Sequence, residues 1–270
     1  MAQPAGPVSP GEGHPGRLIG VRARVRGLSV FARVSTAAGS GSPPIVLVHG
    51  VAVSSRNMVP TAEALAPEFE VFAVDLPGHG NSEHPPEPLK TKQYAEFLAV
   101  WLEAVGLRPA VFVGNSYGCQ VIAELAVRHP EIVVGAVLQG PTIDGFARSR
   151  ARQLGRWMLN ATREAAVQQA VLVRDWRQAG LRTMRAGRRH MFEHRIEVVL
   201  PRVTAPTLVV RGERDPIVSQ EWAEHVTSLL PAGRLAVVPE AAHTIPFKYP
   251  EQLAQLVTTF IRAEIESGSP

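Results

Sequence analysis

The pentapeptide at residues 114–118, Gly-Asn-Ser-Tyr-Gly, combines one nucleophile with two glycines at the spacing G-x-S-x-G. It follows the apolar run 110–113 and precedes a helix-like stretch at 121–129, so it lies where a strand turns sharply into a helix. Such a turn exposes the middle side chain, and small residues two positions before and after it avoid a collision between strand and helix. Because a serine hydroxyl is a weak nucleophile at neutral pH, Ser116 needs a base and a group that orients the base.

Both groups occur further along the chain, after two more predicted strands. Asp215 follows the apolar run 207–210, and His243 follows the run 235–238. The carboxyl ends of parallel strands lie at one edge of a sheet, which is where α/β proteins bind their ligands. We therefore expect Ser116, Asp215 and His243 to converge, with His243 as the base and Asp215 as the acid. Each of them alone would be an ordinary turn or loop residue, and only their joint occurrence favours catalysis.

Three further side chains compete for these roles. Asp144 also follows an apolar run, 133–138, and is an alternative to Asp215 as the acid, although its context favours it less. His79 could be a second base, but a histidine in such a turn more often makes structural hydrogen bonds. Cys119 could be a second nucleophile, but next to the serine it is better explained as a small buried residue.

With these motifs the sequence resembles the α/β-hydrolase superfamily, in its serine-nucleophile, esterase- or lipase-like branch with a helical cap. Residues 45–50, Ile-Val-Leu-Val-His-Gly, look like the family's strand that ends in His-Gly, and residues 75–82 resemble its D-x-x-G-x-G-x-S turn. The order Ser116, Asp215, His243 is the family's order. The resemblance implies that the backbone amides of Val51 and Tyr117 form an oxyanion hole. It also implies a mostly parallel central sheet flanked by helices.

The elements divide the chain into four stretches. Residues 1–17 are rich in proline and glycine and are expected to be a disordered leader. Residues 18–145 and 201–270 are predicted to form the α/β-hydrolase core, which begins with an antiparallel hairpin over 18–34. Residues 146–200 show no convincing strand but helix-compatible stretches such as 151–170, so they are interpreted as an inserted helical cap. A cap over the catalytic edge would shape the substrate pocket.

This predicted cap is rich in arginine. Residues 174–195 contain only Asp175 and Glu193 as acidic partners for Arg174, Arg177, Arg182, Arg185, Arg188, Arg189 and Arg195. The pattern fits an anionic substrate or an anionic lipid surface, but a solvated helix face is the favoured interpretation. Arg56, close after the predicted oxyanion loop, and Arg148, at the cap entrance, are candidate substrate contacts.

Composition limits the class of protein. The chain has 270 residues, of which 45% are hydrophobic and 19% charged, which suits one domain with a sizeable core. No run approaches the roughly 20 apolar residues of a membrane span. The single cysteine, Cys119, cannot form an internal disulfide, and a cytoplasmic location is expected. The pI near 9.7 comes without a recognisable nucleic-acid-binding motif, and we expect no nucleic-acid partner, cofactor or metal.

The predicted function is hydrolysis of a carboxylic ester, lactone or thioester through an acyl-serine intermediate. The expected partner is a small-molecule acyl substrate. Asn115 leaves a second reaction open, because G-N-S-x-G resembles the carbon–carbon hydrolases that cleave meta-cleavage products. Against that alternative, residues 51–54 lack the usual glycines and Thr244 replaces the usual aromatic residue. A ligand-binding or receptor protein on a hydrolase scaffold is a third possibility.

Overall fold

The computed structural model describes residues 17–36, 41–107, 109–164 and 166–267. The predicted leader therefore lies outside the described residues, apart from Arg17. No helix in the described ranges is both long enough and apolar enough to cross a lipid bilayer.

The described residues build one eight-stranded sheet with the order β1-β2-β4-β3-β5-β6-β7-β8. β1 pairs antiparallel with β2, β2 pairs antiparallel with β4, and the remaining neighbours are parallel. The sheet is thus mostly parallel, as predicted. The strand bounds are β1 Leu18–Val25, β2 Leu28–Ser35, β3 Ile45–Val48, β4 Val71–Val74, β5 Ala110–Asn115, β6 Val133–Gln139, β7 Thr207–Gly212 and β8 Gly233–Val238.

The predicted leading hairpin is present as β1 and β2. Val25 pairs with Leu28 across a two-residue turn in which Arg26 has φ 48° and Gly27 has φ 82°. Two consecutive residues with positive φ match the twist of the flanking strands, which is why such turns favour glycine.

Helices cover both faces of the sheet. The outer strands are partly exposed, whereas β3, β4 and β5 are buried along their whole length. This explains why those three strands are continuous apolar runs rather than alternating ones. One face packs against Trp101 and Trp222, and the other packs against Met58. The core helices are α1 Val59–Leu65, α2 Thr91–Ala104, α3 Tyr117–Arg128, α7 Gln220–Ser228, α8 Ile245–Lys248 and α9 Pro250–Phe260.

The chain between β6 and β7 is helical, and we call residues 146–200 the helical insertion. It contains α4 Arg150–Ala161, α5 Ala166–Glu193 and α6 Ile196–Val199. Gly180 has φ 71° and ψ 161°, so α5 is two helices joined at a kink. The helix-compatible stretch 151–170 is interrupted after Ala161, where the amide of Arg163 donates to the carbonyl of Asn160 at 2.8 Å.

Candidate functional site

Ser116 lies in a strained turn between β5 and α3. Its backbone has φ 55° and ψ −112°, a conformation that non-glycine residues rarely adopt and that recurs at functional sites. A Cβ atom on Gly118 would collide with the carbonyl oxygen of Val48, and one on Gly114 would approach the amide nitrogen of Cys119 to 2.9 Å. The two glycines are therefore required where the helix passes close to neighbouring backbone.

His243 and Asp215 meet at the carboxyl ends of β8 and β7. The distance between His243 Nδ1 and Asp215 Oδ2 is 2.7 Å. The other carboxylate oxygen of Asp215 accepts from the amides of Ile217, at 2.7 Å, and Val218, at 3.1 Å. Burial lowers the pKa of His243, but the charge and hydrogen bond of Asp215, helped by the charge of Glu164, outweigh it and raise the pKa overall.

Asp144 also follows a strand, but its carboxylate binds other groups than His243. Its carboxylate pairs with Arg156 at 2.6 Å and accepts from the amides of Phe146, at 3.0 Å, and Ser219, at 3.3 Å. Since His243 has Asp215 as its carboxylate partner, the geometry assigns Asp144 to the junction between the helical insertion and α7.

His79 and Cys119 are both buried. Burial, followed by the neighbouring ring of His49, lowers the pKa of His79 to about 3, and its Nδ1 lies 3.2 Å from the carbonyl of Pro77. The thiol of Cys119 lies 3.3 Å from two backbone carbonyl oxygens that share its single hydrogen, and burial raises its pKa. A buried neutral histidine and a buried protonated thiol fit structural roles rather than catalysis.

The resemblance implies that the amides of Val51 and Tyr117 form the oxyanion hole, and these residues lie in the loop after β3 and at the start of α3. Tyr117 begins α3, so its N–H belongs to the first turn, where helix amides lack intrahelical partners. Val51 lies in the loop after His49, and two hydrogen bonds of the His49 side chain hold this loop. Its Nδ1 lies 2.8 Å from the carbonyl oxygen of Gly50, and its Nε2 accepts from the amide of Leu76 at 3.0 Å. Within the described ranges, neither amide is bonded to a protein acceptor.

A cavity of about 430 Å³ opens onto Ser116 and His243. The core contributes residues 50–53 and Asn115 to its wall. The helical insertion contributes mainly apolar side chains: Leu154, Trp157, Met158, Leu172, Trp176 and Met184. The volume lies within the range of small-molecule sites.

The structure does not bring Arg56 and Arg148 to this cavity. Arg56 donates to Asp175 and to Gln178, both at 2.7 Å. Arg148 pairs with Glu197 at 3.2 Å and donates to two backbone carbonyls of the helical insertion. Arg56 thus joins the core to the helical insertion and Arg148 braces the insertion internally, and the expected substrate contacts find no support in this geometry. The arginine that does line the cavity is Arg188.

Sequence reasoning missed the groups that hold the loop of His243. Asn160 accepts from the amide of His243 at 3.2 Å, and Glu164 accepts from the amide and hydroxyl of Thr244 at 3.2 and 2.8 Å. From the core, Gln139 donates to the carbonyl of His243 at 2.9 Å. The partners are separated by 80 to 104 residues in the chain, so no local pattern could have linked them.

Thr142 is a second residue near Ser116 that the sequence did not reveal. Its hydroxyl lies 3.4 Å from the hydroxyl of Ser116, and its carbonyl accepts from Gln120 at 2.7 Å. The described residues contain no group of three or more His, Cys, Asp or Glu side chains that could hold a metal ion.

Comparison with known proteins agrees with the predicted fold. A family model described as "Alpha/beta hydrolase family" matches residues 45–256. The carboxylesterase YbfK of Bacillus subtilis is 25% identical over 241 residues, which cover 82% of this chain and 80% of that protein. The acetyltransferase component of the acetoin cleaving system of Pseudomonas putida is 27% identical over 253 residues, which cover 83% of this chain. The matched region spans only 65% of that longer protein.

A solved structure shows the same arrangement over nearly the whole chain. The esterase RhEst1 from Rhodococcus sp. ECU1013 superposes with a TM-score of 0.73 at 25% identity, covering 92% of this chain and 99% of the esterase. The sheet order, the match over residues 45–256 and this superposition agree. The chain belongs to the alpha/beta hydrolase family.

Proposed function

We propose that this protein is a serine hydrolase that cleaves a carboxylic ester, lactone or thioester through an acyl-serine intermediate. The observation that carries the proposal is the 2.7 Å contact between His243 and Asp215 beside a cavity whose wall also contains Ser116 in its strained turn. A nucleophile, a base and a group that orients the base are the three components this chemistry needs.

The proposed reaction uses these three groups in turn. Asp215 holds the proton on Nδ1 of His243, which leaves Nε2 free to take the proton of Ser116 as its oxygen attacks the acyl carbonyl. The tetrahedral intermediate collapses when His243 returns that proton to the departing alcohol or thiol. Water then attacks the acyl-serine by the same proton route, which releases the acid and restores Ser116.

The negative charge of the intermediate would be bound by the amides of Val51 and Tyr117. Since these are backbone groups, only substitution by proline would remove either N–H. In comparable sites, losing one donor to the oxyanion costs about 10²- to 10³-fold in rate.

The helical insertion is proposed to act as a cap that selects the substrate. Its contribution to the cavity is mainly apolar, and two of its polar lining residues, Asn160 and Glu164, bind the loop of His243. An apolar acyl chain or an aromatic leaving group would occupy the apolar part. The names of two similar proteins, a carboxylesterase and an esterase, agree with an ester substrate.

The test is turnover of p-nitrophenyl esters of increasing acyl length by the wild type and Ser116→Ala. We expect chain-length-dependent turnover that falls by about 10⁴-fold or more in Ser116→Ala. Intact mass after treatment with a fluorophosphonate should show one adduct on the wild type and none on Ser116→Ala.

The matched control is Ser228→Ala, which removes an exposed hydroxyl on α7. It should keep both the turnover and the adduct. Turnover that survives in Ser116→Ala, or an adduct located on another residue, would contradict the proposal.

No contact among the described residues of the site specifically favours the alternative that the protein is a carbon–carbon hydrolase. The resemblance depends on Asn115, whose side-chain amide donates to Gln139 at 2.5 Å. Gln139 in turn donates to the carbonyl of His243, so Asn115 supports the position of His243. A vinylogous diketone assayed beside the esters separates the two reactions. The receptor alternative predicts stoichiometric rather than repeated product release.

A further inference from the structure

The helical insertion differs from the rest of the molecule in charge. Residues 146–200 contain twelve arginines and four acidic residues, whereas the whole chain has a net charge of only +4. Each of the four acids is already engaged, since Asp175, Glu193 and Glu197 pair with arginines and Glu164 accepts from Thr244. Seven exposed arginines make no ion pair within the described ranges: Arg150, Arg152, Arg163, Arg174, Arg177, Arg185 and Arg188.

Exposed apolar side chains are concentrated on the same segment. Of the ten large hydrophobic side chains that are strongly exposed among the described residues, nine belong to residues 146–200. This concentration exceeds the scattered exposure that is ordinary for a protein surface.

The exposed apolar residues include part of the cavity wall. Leu154, Met158 and Trp176 line the cavity and are 52%, 65% and 44% exposed. The lining of the cavity therefore continues outward onto a surface that also bears arginines. Leu159, the neighbour of Met158 on α4, does not line the cavity and is 45% exposed.

We propose that the outer surface of the helical insertion docks on an anionic lipid surface, with the mouth of the cavity facing the lipid. Unpaired arginines would bind lipid phosphates, and the apolar side chains at the mouth would enter the boundary between headgroups and acyl chains. The binding is peripheral. An acyl substrate would then enter the cavity from the lipid rather than from water.

Two other occupants fit the surface less well. A second copy of this chain would bring two strongly positive surfaces together, and like charges in contact repel. A nucleic acid would match the arginines but would leave the exposed aliphatic side chains of α4 in water, where they gain nothing from phosphate contacts.

The test is co-sedimentation of the full chain carrying Ser116→Ala with lipid vesicles, so that no lipid is hydrolysed during the experiment. We expect binding to vesicles of phosphatidylcholine mixed with phosphatidylglycerol and little binding to phosphatidylcholine alone. Because the attraction is electrostatic in part, raising the salt concentration should weaken binding roughly tenfold or more.

Two variants, each made in the chain that carries Ser116→Ala, test which side chains contact the lipid. Arg177→Gln combined with Arg185→Gln should weaken binding to the anionic vesicles by about tenfold, and Leu159→Ser should weaken it without changing its salt dependence. These side chains do not line the cavity, so the same substitutions in the active enzyme should leave turnover of a short soluble ester unchanged. Arg234→Gln, which removes one exposed arginine from β8, is the matched control and should bind normally.

Absence of binding to the anionic vesicles, or equal binding by wild type and both variants, would overturn the inference. Binding of an RNA or DNA oligomer instead of vesicles would also overturn it and assign the arginines to nucleic acid. Because the vesicle assay uses Ser116→Ala, its result does not depend on whether the proposed hydrolase reaction is correct.

Discussion

At the scale of single residues, two aspartates that each follow a strand of the sheet have different surroundings. Asp215 faces His243, whereas Asp144 faces Arg156. We predict that Asp215→Asn lowers kcat by about 10⁴-fold, because an amide no longer holds the imidazole in the tautomer that accepts the serine proton. Asp144→Asn should keep kcat within about tenfold and lower Tm instead, since it removes the charge that faces Arg156.

The measurement is kcat with the best p-nitrophenyl ester, together with thermal unfolding of both variants. Thermal unfolding also shows whether Asp215→Asn remains folded. If Asp144→Asn lost activity while Asp215→Asn kept it, the assignment of the acid would be reversed.

The pKa of His243 predicts the pH dependence of catalysis. His243 must be neutral to act as a base, and its pKa is raised above the ordinary value of 6.5. The profile of kcat/KM should therefore rise with pH through a midpoint above 6.5, which reports the free enzyme. Glu164→Gln removes a negative charge that raises this pKa, so it should move the midpoint to lower pH.

Asn160→Ala is the matched control for that shift. It removes an uncharged acceptor of the His243 amide, so it should lower kcat without moving the midpoint. A wild-type midpoint at or below 6.5, or equal midpoints in the wild type and Glu164→Gln, would contradict the electrostatic account.

At the scale of elements, the turn between β5 and α3 depends on how closely backbones approach. Gly118→Ala places a Cβ against the carbonyl oxygen of Val48, and a backbone atom cannot move aside as a side chain can. We predict a loss of about 3 kcal/mol or more in the free energy of unfolding, measured in urea.

Gly155→Ala on α4 is the matched comparison. A Cβ at that position meets nothing within 4 Å, so alanine should stabilise the helix by up to about 1 kcal/mol. Equal effects of the two substitutions would show that the close approach at Gly118 is not what requires glycine.

At the scale of the whole molecule, a buried ion pair fastens the helical insertion to the core near the predicted oxyanion loop. Asp175, which is 1% exposed, binds Arg56 at 2.7 Å and accepts from the amide of Ser54 at 2.8 Å. Asp175→Asn would leave the Arg56 charge without an anion, and we predict a loss of about 3 kcal/mol in the free energy of unfolding.

Arg182→Gln is the control for this prediction. Its pair with Glu87 lies in solvent, where such pairs contribute about 0–1 kcal/mol. Urea unfolding of both variants compares the two pairs directly. An equal small loss would show that the Asp175 pair does not hold the helical insertion on the core.

The sequence by itself determined the elements and their kinds. The apolar runs, the glycines around Ser116 and the polar residues after each run predicted a mostly parallel sheet whose carboxyl edge carries Asp215 and His243. These features are local, because strand burial and turn geometry depend on residues close together in the chain. The family and the fold could be predicted for the same reason.

Only the tertiary structure decided which side chains meet across the molecule. Local context favours Asp215 over Asp144 but does not show which group each carboxylate binds. It also suggested a substrate role for Arg56, which instead pairs with a residue 119 positions away. The bonds of Asn160 and Glu164 to the loop of His243 likewise join distant segments. The physical reason is that a guanidinium or carboxylate is bound by whichever group packing brings to it, and packing is settled by the whole fold.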